Sequence, residues 1–129
     1  MIWNATIKMD PVAKQRPRMT KAGHTYTPAE TRNAEKLLAD YFNLKRDRSM
    51  PWDAPLGVTL AFYFSRPASK KNTNNHTTRP DIDNLVKLVC DAANGILWND
   101  DKQIVFLEAS KHYCSVEGEP GIRITVEEF

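Results

Sequence analysis

Cysteine and histidine are scarce in this chain: two cysteines and three histidines stand among 129 residues. There is no Cys-x-x-Cys, and His24, His76 and His112 are scattered, so the composition speaks against a zinc site. Cys90 and Cys114 read as small buried apolar side chains, with no disulfide and no nucleophile signature around either. Long apolar runs are missing too, so no helical membrane span is expected. The opening residues Met1-Ile2-Trp3-Asn4 lack the basic segment and apolar core of a secretory signal, and a cytoplasmic location is the expectation. A large net charge is also absent. The balance is only +2, so total charge alone does not announce a polyanionic partner.

What is present suits one globular unit over residues 1–129, with a hydrophobic fraction of 41% and an aromatic fraction of 9%. Charge is unevenly placed. Lys8, Lys14, Arg16, Arg18 and Lys21 cluster with a single acid, Asp10, and Arg66, Lys70, Lys71 and Arg79 span a stretch with none. Acids gather later, between Asp81 and Asp101. Basic segments beside an acidic cluster suit a polyanion bound against a metal, whereas from charge alone two solvated loops are the more ordinary reading.

Residues 2–9 form a first expected strand, and 10–27, carrying Pro11, Pro17 and Gly23, a long loop. Thr27-Pro28-Ala29-Glu30 reads as a helix start with Thr27 as N-cap and Glu30 closing a capping box. Ala34, Leu37, Leu38, Tyr41, Phe42 and Leu44 continue the helix, which ends within 45–48. Residues 56–65 alternate as a strand, with Val58, Leu60, Phe62 and Phe64 on one face. A polar loop, 65–79, has no apolar side chain after Ala68 and the composition of a mobile segment. A second helix is expected from about Asp83 to Asn94, burying Ile82, Leu85, Val86, Val89, Ala92 and Ala93, with Gly95 as its C′ residue. Residues 103–114 and 122–128 read as strands, joined as a hairpin by the turn at 117–121. The order β-α-β-α-β-β implies an α/β (α+β) single domain with a small mixed sheet of about four strands and two main helices.

The informative stretch is Arg79-Pro80-Asp81-Ile82-Asp83-Asn84-Leu85-Val86-Lys87, continuing through Asp91 and Gly95 to Asn99-Asp100-Asp101-Lys102-Gln103-Ile104. Pro80 favours extended backbone before it, so Asp81 and Asp83 can point the same way. Asp83 falls at a helix N-terminus, where the macrodipole favours negative charge, and Lys87 shares its helix face. Converging carboxylates raise one another's pKa unless a cation lies between them. Magnesium binds one or two carboxylates and keeps waters, leaving room for phosphate oxygens. Each residue also has a plain structural role open to it. Asp81 and Asp83 could be cap and first-turn charges, Asp100-Asp101 a polar turn, and Lys87 half of a surface ion pair with Asp83 or Asp91.

The run Asp81-x-Asp83-Asn84-Leu85-x-Lys87-x-x-x-Asp91-Ala92, followed by Gly95 and Asp100-Asp101-x-Gln103-Ile104, resembles the signature of RusA-type Holliday junction resolvases, a family common in phages and prophages. Gln15-Arg16-Pro17-Arg18 with Tyr26-Thr27-Pro28 resembles the N-terminal region of phage-type members. The resemblance implies a homodimer that places symmetric nicks in four-way DNA junctions using magnesium or manganese, with no nucleotide cofactor. It implies that Asp81, Asp83 and Asp101 hold the metal and that Lys87 is the essential lysine. Asp100 matches an acidic neighbour of lower rank, and Asp91 a recurring aspartate that orients Lys87 or caps. Lys14, Arg16, Arg18 and Arg79 are the candidates for phosphate contact. Some members carry an unbroken basic run before the first aspartate. Only Arg79-Pro80 stands here, so DNA contacts would lean more on Lys70, Lys71 and Arg79. The spacing to Asp101 is shorter than in some relatives, which leaves Asp100 and Asp101 both open as ligands. A helix of about 18 Å followed by seven residues reaching at most about 23 Å lets Asp101 return to Asp81 only if the segment is nearly straight. Otherwise the site is completed across a dimer.

Overall fold

A computed structural model describes Met1–Phe129 throughout. Six strands and two helices follow one another: β1 (Ile2–Ile7), β2 (Arg18–Met19), β3 (Thr25–Tyr26), α1 (Ala29–Lys45), β4 (Leu56–Phe64), α2 (Ile82–Ala93), β5 (Ile104–Tyr113) and β6 (Gly121–Glu128). The main sheet has the order β1-β6-β4-β5, with β4 parallel to β5 and antiparallel to β6, and β1 antiparallel to β6. The expected α+β fold with a mixed four-stranded sheet is therefore what the chain adopts.

Alternation along the strands decides which face is buried. Val58, Leu60 and Phe62 of β4 lie opposite Val126, Ile124 and Ile122 of β6, and all six are buried. Both helices cover that face. α1 presents Thr31, Ala34, Leu38 and Phe42 to it, and α2 presents Leu85, Leu88, Val89, Ala92 and Ala93. Thr59, Glu108, Arg123 and Glu127 stand exposed on the opposite face. Ile82, expected in the buried stripe of α2, is instead exposed at its first turn, and Leu88 and Cys90 take its place inside.

The expected hairpin between the last two strands does not form. β4 lies between β5 and β6 and makes a ladder with each, so the segment at 114–120 crosses the end of β4 instead of turning tightly. The apolar alternation of β4 wins the central position, where both of its edges are paired. The expected capping box is absent too. Pro28 itself is the N-cap, its extended backbone leaving its carbonyl to accept from the Arg32 amide at 3.1 Å, and no side chain caps α1. The long segment 10–27 contains a small ribbon, β2 with β3, whose turn needs the left-handed Gly23 at φ +85°. Gly95, at φ +80°, is the C′ residue of α2 as expected.

Candidate functional site

The chain enters α2 in extended backbone at Asp81, which is the N-cap (φ −72°, ψ 145°), and Asp83 falls in the first turn. Lys111 of β5 fixes this approach by donating from Nζ to the carbonyls of Thr78 (2.7 Å) and Pro80 (2.8 Å). Beside the helix start lies an open groove of about 830 Å³. Lys14, Arg16, Arg18 and Arg79 line it together with Asp81, Asp83 and Asn84. The structure thus brings two separate basic segments against one pair of aspartates.

Around the helix, a second pocket of about 310 Å³ is lined by Asp83, Lys87, Cys90 and Asp101, with Val86, Ile104 and Leu107 as its apolar wall. Asp83 is common to both cavities. Asp101 lines Asp83's pocket within one chain, while Asp81 lines only the groove.

Gln103 sets the position of Asp101. Its Oε1 accepts from the amides of Asn99 (2.8 Å) and Asp100 (2.9 Å), and its Nε2 donates to the carbonyls of Trp52 (2.8 Å) and Ala54 (3.0 Å). A short 3-10 turn, Asp101–Gln103, results, and Asp100 caps it by accepting from the Lys102 amide at 2.9 Å. Asp100 is engaged in this capping box and lines neither cavity, whereas Asp101 faces the pocket.

Lys87 lies 3.2 Å from Asp91, one turn along α2. The hydrogen bond to Asp91 first, and then the charges of Asp91 and Asp101, hold its ammonium above the ordinary 10.5, so it is a fixed positive charge at neutral pH. Burial, with Asp101 and Asp91 nearby, pushes the Cys90 thiol up to about 11, which removes it as a thiolate ligand or nucleophile. What remains is an all-carboxylate donor set. No three acidic, histidine or cysteine side chains are drawn into a ready-made cage. Asp83 and Asp101 in one pocket, with Asp81 on the groove side, offer the few hard oxygen ligands that a magnesium ion takes while keeping waters.

Lys70 and Lys71 belong to the 68–71 turn and do not line the groove; Lys71 lines a separate cavity with Arg66 and Val116. Trp98 is fully buried and donates to Asn94 Oδ1 at 2.7 Å, so it is a core residue. Tyr26 is exposed on β3. Gln103, Lys111 and Glu35, which pairs with Lys14, carry positioning roles that residue type alone did not reveal.

The family profile described as Endodeoxyribonuclease RusA matches residues 8–127, which takes in the groove, the pocket and the turn at Asp101. The chain is 29% identical over 137 aligned positions to an uncharacterised protein of Bacillus subtilis (strain 168), YqaN, covering 95% of this chain and 94% of that one. It is 32% identical over 80 residues to a crossover junction endodeoxyribonuclease rusA of Lactococcus phage r1t, covering 61% of each chain. With the profile spanning nearly the whole sequence, the chain belongs to the RusA endodeoxyribonuclease family.

Proposed function

We propose that this chain is a magnesium-dependent endonuclease that resolves four-way DNA junctions by paired symmetric nicks, as a cytoplasmic homodimer serving recombination and repair. One observation carries the reading: Asp83 stands in the wall between a groove lined by Arg16, Arg18 and Arg79 and a pocket holding Lys87 and Asp101. A phosphate backbone lying in the groove runs directly up to the carboxylates. The Lactococcus phage relative is named for action on crossover junctions, which favours that substrate.

Asp81, Asp83 and Asp101 would hold the metal, with manganese as a substitute, and when bound it supplies a Lewis acid and a water acidified for attack. The chain's own side chains do the rest. Lys87 neutralises charge developing on the phosphate, and the guanidiniums of Arg16, Arg18 and Arg79 orient the strand for in-line attack. Val105 and Phe106 are exposed on β5, the outer strand of the sheet, and this apolar edge supports self-association. A two-fold dimer would present two sites to the near two-fold symmetry of a junction.

The test is cleavage of a mobile four-way junction, a flap and a linear duplex with and without magnesium, with nick positions mapped. Symmetric nicks in the junction alone are expected, and Asp81→Asn should bind junctions without cutting them. Preferred cutting of the flap would move the substrate to another branched DNA. Absence of any magnesium-dependent cutting would leave a DNA-binding module of the same fold. Val105→Lys should convert the dimer to monomer in sedimentation and uncouple the two nicks; an unchanged dimer would clear this edge of the role.

A further inference from the structure

We propose that Asp91 is a positioning residue whose two carboxylate oxygens set two cations at once: Lys87 in the pocket, and Lys14 in the loop that carries Arg16 and Arg18. The inference deepens the nuclease reading above and rests on it for its catalytic half.

The two contacts use opposite oxygens. Asp91 Oδ1 lies 3.2 Å from Lys87 Nζ, and Oδ2 lies 3.2 Å from Lys14 Nζ. Lys14 is held from further sides. Its ammonium pairs with Glu35 Oε1 of α1 at 2.9 Å, and its backbone amide donates to the carbonyl of Asn84 in α2 at 2.9 Å. The next amide, Gln15, donates to Thr31 Oγ1 at 3.3 Å, on a fully buried threonine. Lys14 is therefore a strut between α1 and α2. An ammonium shared by two carboxylates, with a side chain only 25% exposed, is poorly placed to serve as a free phosphate contact.

This arrangement couples the two halves of the site. Lysine is a long, rotamer-rich side chain whose free end wanders unless a partner holds it. Lys87 is 57% exposed, and its one ion-pair partner is Asp91. The same carboxylate anchors the start of the 14–18 segment, whose Arg16 and Arg18 line the groove next to Asp81 and Asp83. One side chain thus fixes the register between the strand-binding cations and the lysine that meets the reacting phosphate. The ammonium of Lys14, like that of Lys87, is held above its ordinary range, led by its bond to Glu35, so both pairs persist at neutral pH.

The test compares wild type, Asp91→Asn and Lys14→Met. The readouts are amide hydrogen exchange over 13–18, junction affinity without metal, and single-turnover cleavage at saturating protein with magnesium. Asp91→Asn is expected to lose exchange protection in 13–18, to bind junctions more weakly, and to cut roughly tenfold or more slowly even when saturated. Lys14→Met should share the first two effects but slow the saturated rate less than Asp91→Asn does, because Lys87 retains its partner. That split separates positioning from a general loss of fold, which would lower both variants alike. Wild-type exchange in Asp91→Asn would overturn the tie to the loop, and a wild-type saturated rate would overturn the tie to Lys87. Failure of the wild-type chain to cut any junction would remove the nuclease reading, and the exchange arm would still decide the strut.

Discussion

Gln103 uses its full hydrogen-bonding capacity on four backbone groups, two amides at the start of the turn that carries Asp101 and two carbonyls of the 52–54 segment. Replacing it with leucine keeps the volume but strands two amides and two carbonyls, at a cost of about 2 kcal/mol. Gln103→Leu should therefore lower the urea midpoint and slow magnesium-dependent cleavage, since Asp101 loses its support; an unchanged rate with lowered stability would show that Asp101 holds its place alone. The neighbouring aspartates should part company. Asparagine caps nearly as well as aspartate, so Asp100→Asn should leave stability and cutting close to wild type. Asp101→Asn should abolish cutting at unchanged stability. If Asp100→Asn proves the inactive variant, the assignment of the pocket carboxylate is reversed.

At the scale of elements, the 65–80 segment carries contacts that its polar composition does not announce. Its sequence reads as a mobile loop, yet Arg66 gathers it by donating to the carbonyls of Cys114, Lys70 and Thr73 and to the side chain of Asn74. His76 is buried against Phe64, ring centroids 4.0 Å apart, and its Nδ1 has no partner. Burial first, and the charge of Lys111 second, hold its pKa below the ordinary 6.5. The released loop binds the proton more readily than the packed one, so stability rises with pH through this window. As pH falls below about 6.5 the thermal midpoint should drop and the protection factors across 70–80 should fall, and His76→Phe should flatten that dependence. An unaltered profile in the variant would place the titration elsewhere. The start of α2 was legible beforehand because a proline, a cap position and a helical stripe are local signals. So was the face of β4, from its alternation. The place of β4 between β5 and β6 was not, because pairing partners far apart in sequence leave no local mark, and a polar turn at 117–121 reads the same whether it closes a hairpin or crosses a strand end. The Lys14–Asp91–Glu35 cluster was hidden for the same reason: three charges from three segments announce nothing until the helices pack.

Across the whole molecule, charge is organised although the net value is small. The cations of the groove come from segments at 14–18 and 79, and the acids of the site from 81–101, so opposite fields meet along one edge of α2. Junction affinity should fall steeply with salt, and Arg16→Ala with Arg18→Ala should weaken binding and shallow the log–log salt slope by roughly two. An unchanged slope would remove these arginines from the phosphate contacts. The sheet carries a different kind of consequence. β6 comes last among the strands, yet it sits between β1 and β4 and supplies the only partner that β1 has in the sheet. The sheet therefore cannot be assembled by adding neighbours in chain order. β1 waits unpaired while α1, β4, α2 and β5 are laid down, and one edge of β4 stays open with it. Insertion of β6 zips two ladders at once, and both close long loops, so folding slower than that of a helical bundle of the same size is expected. Until that insertion, the two strand edges that β6 will cover are the surfaces most open to pairing with another chain.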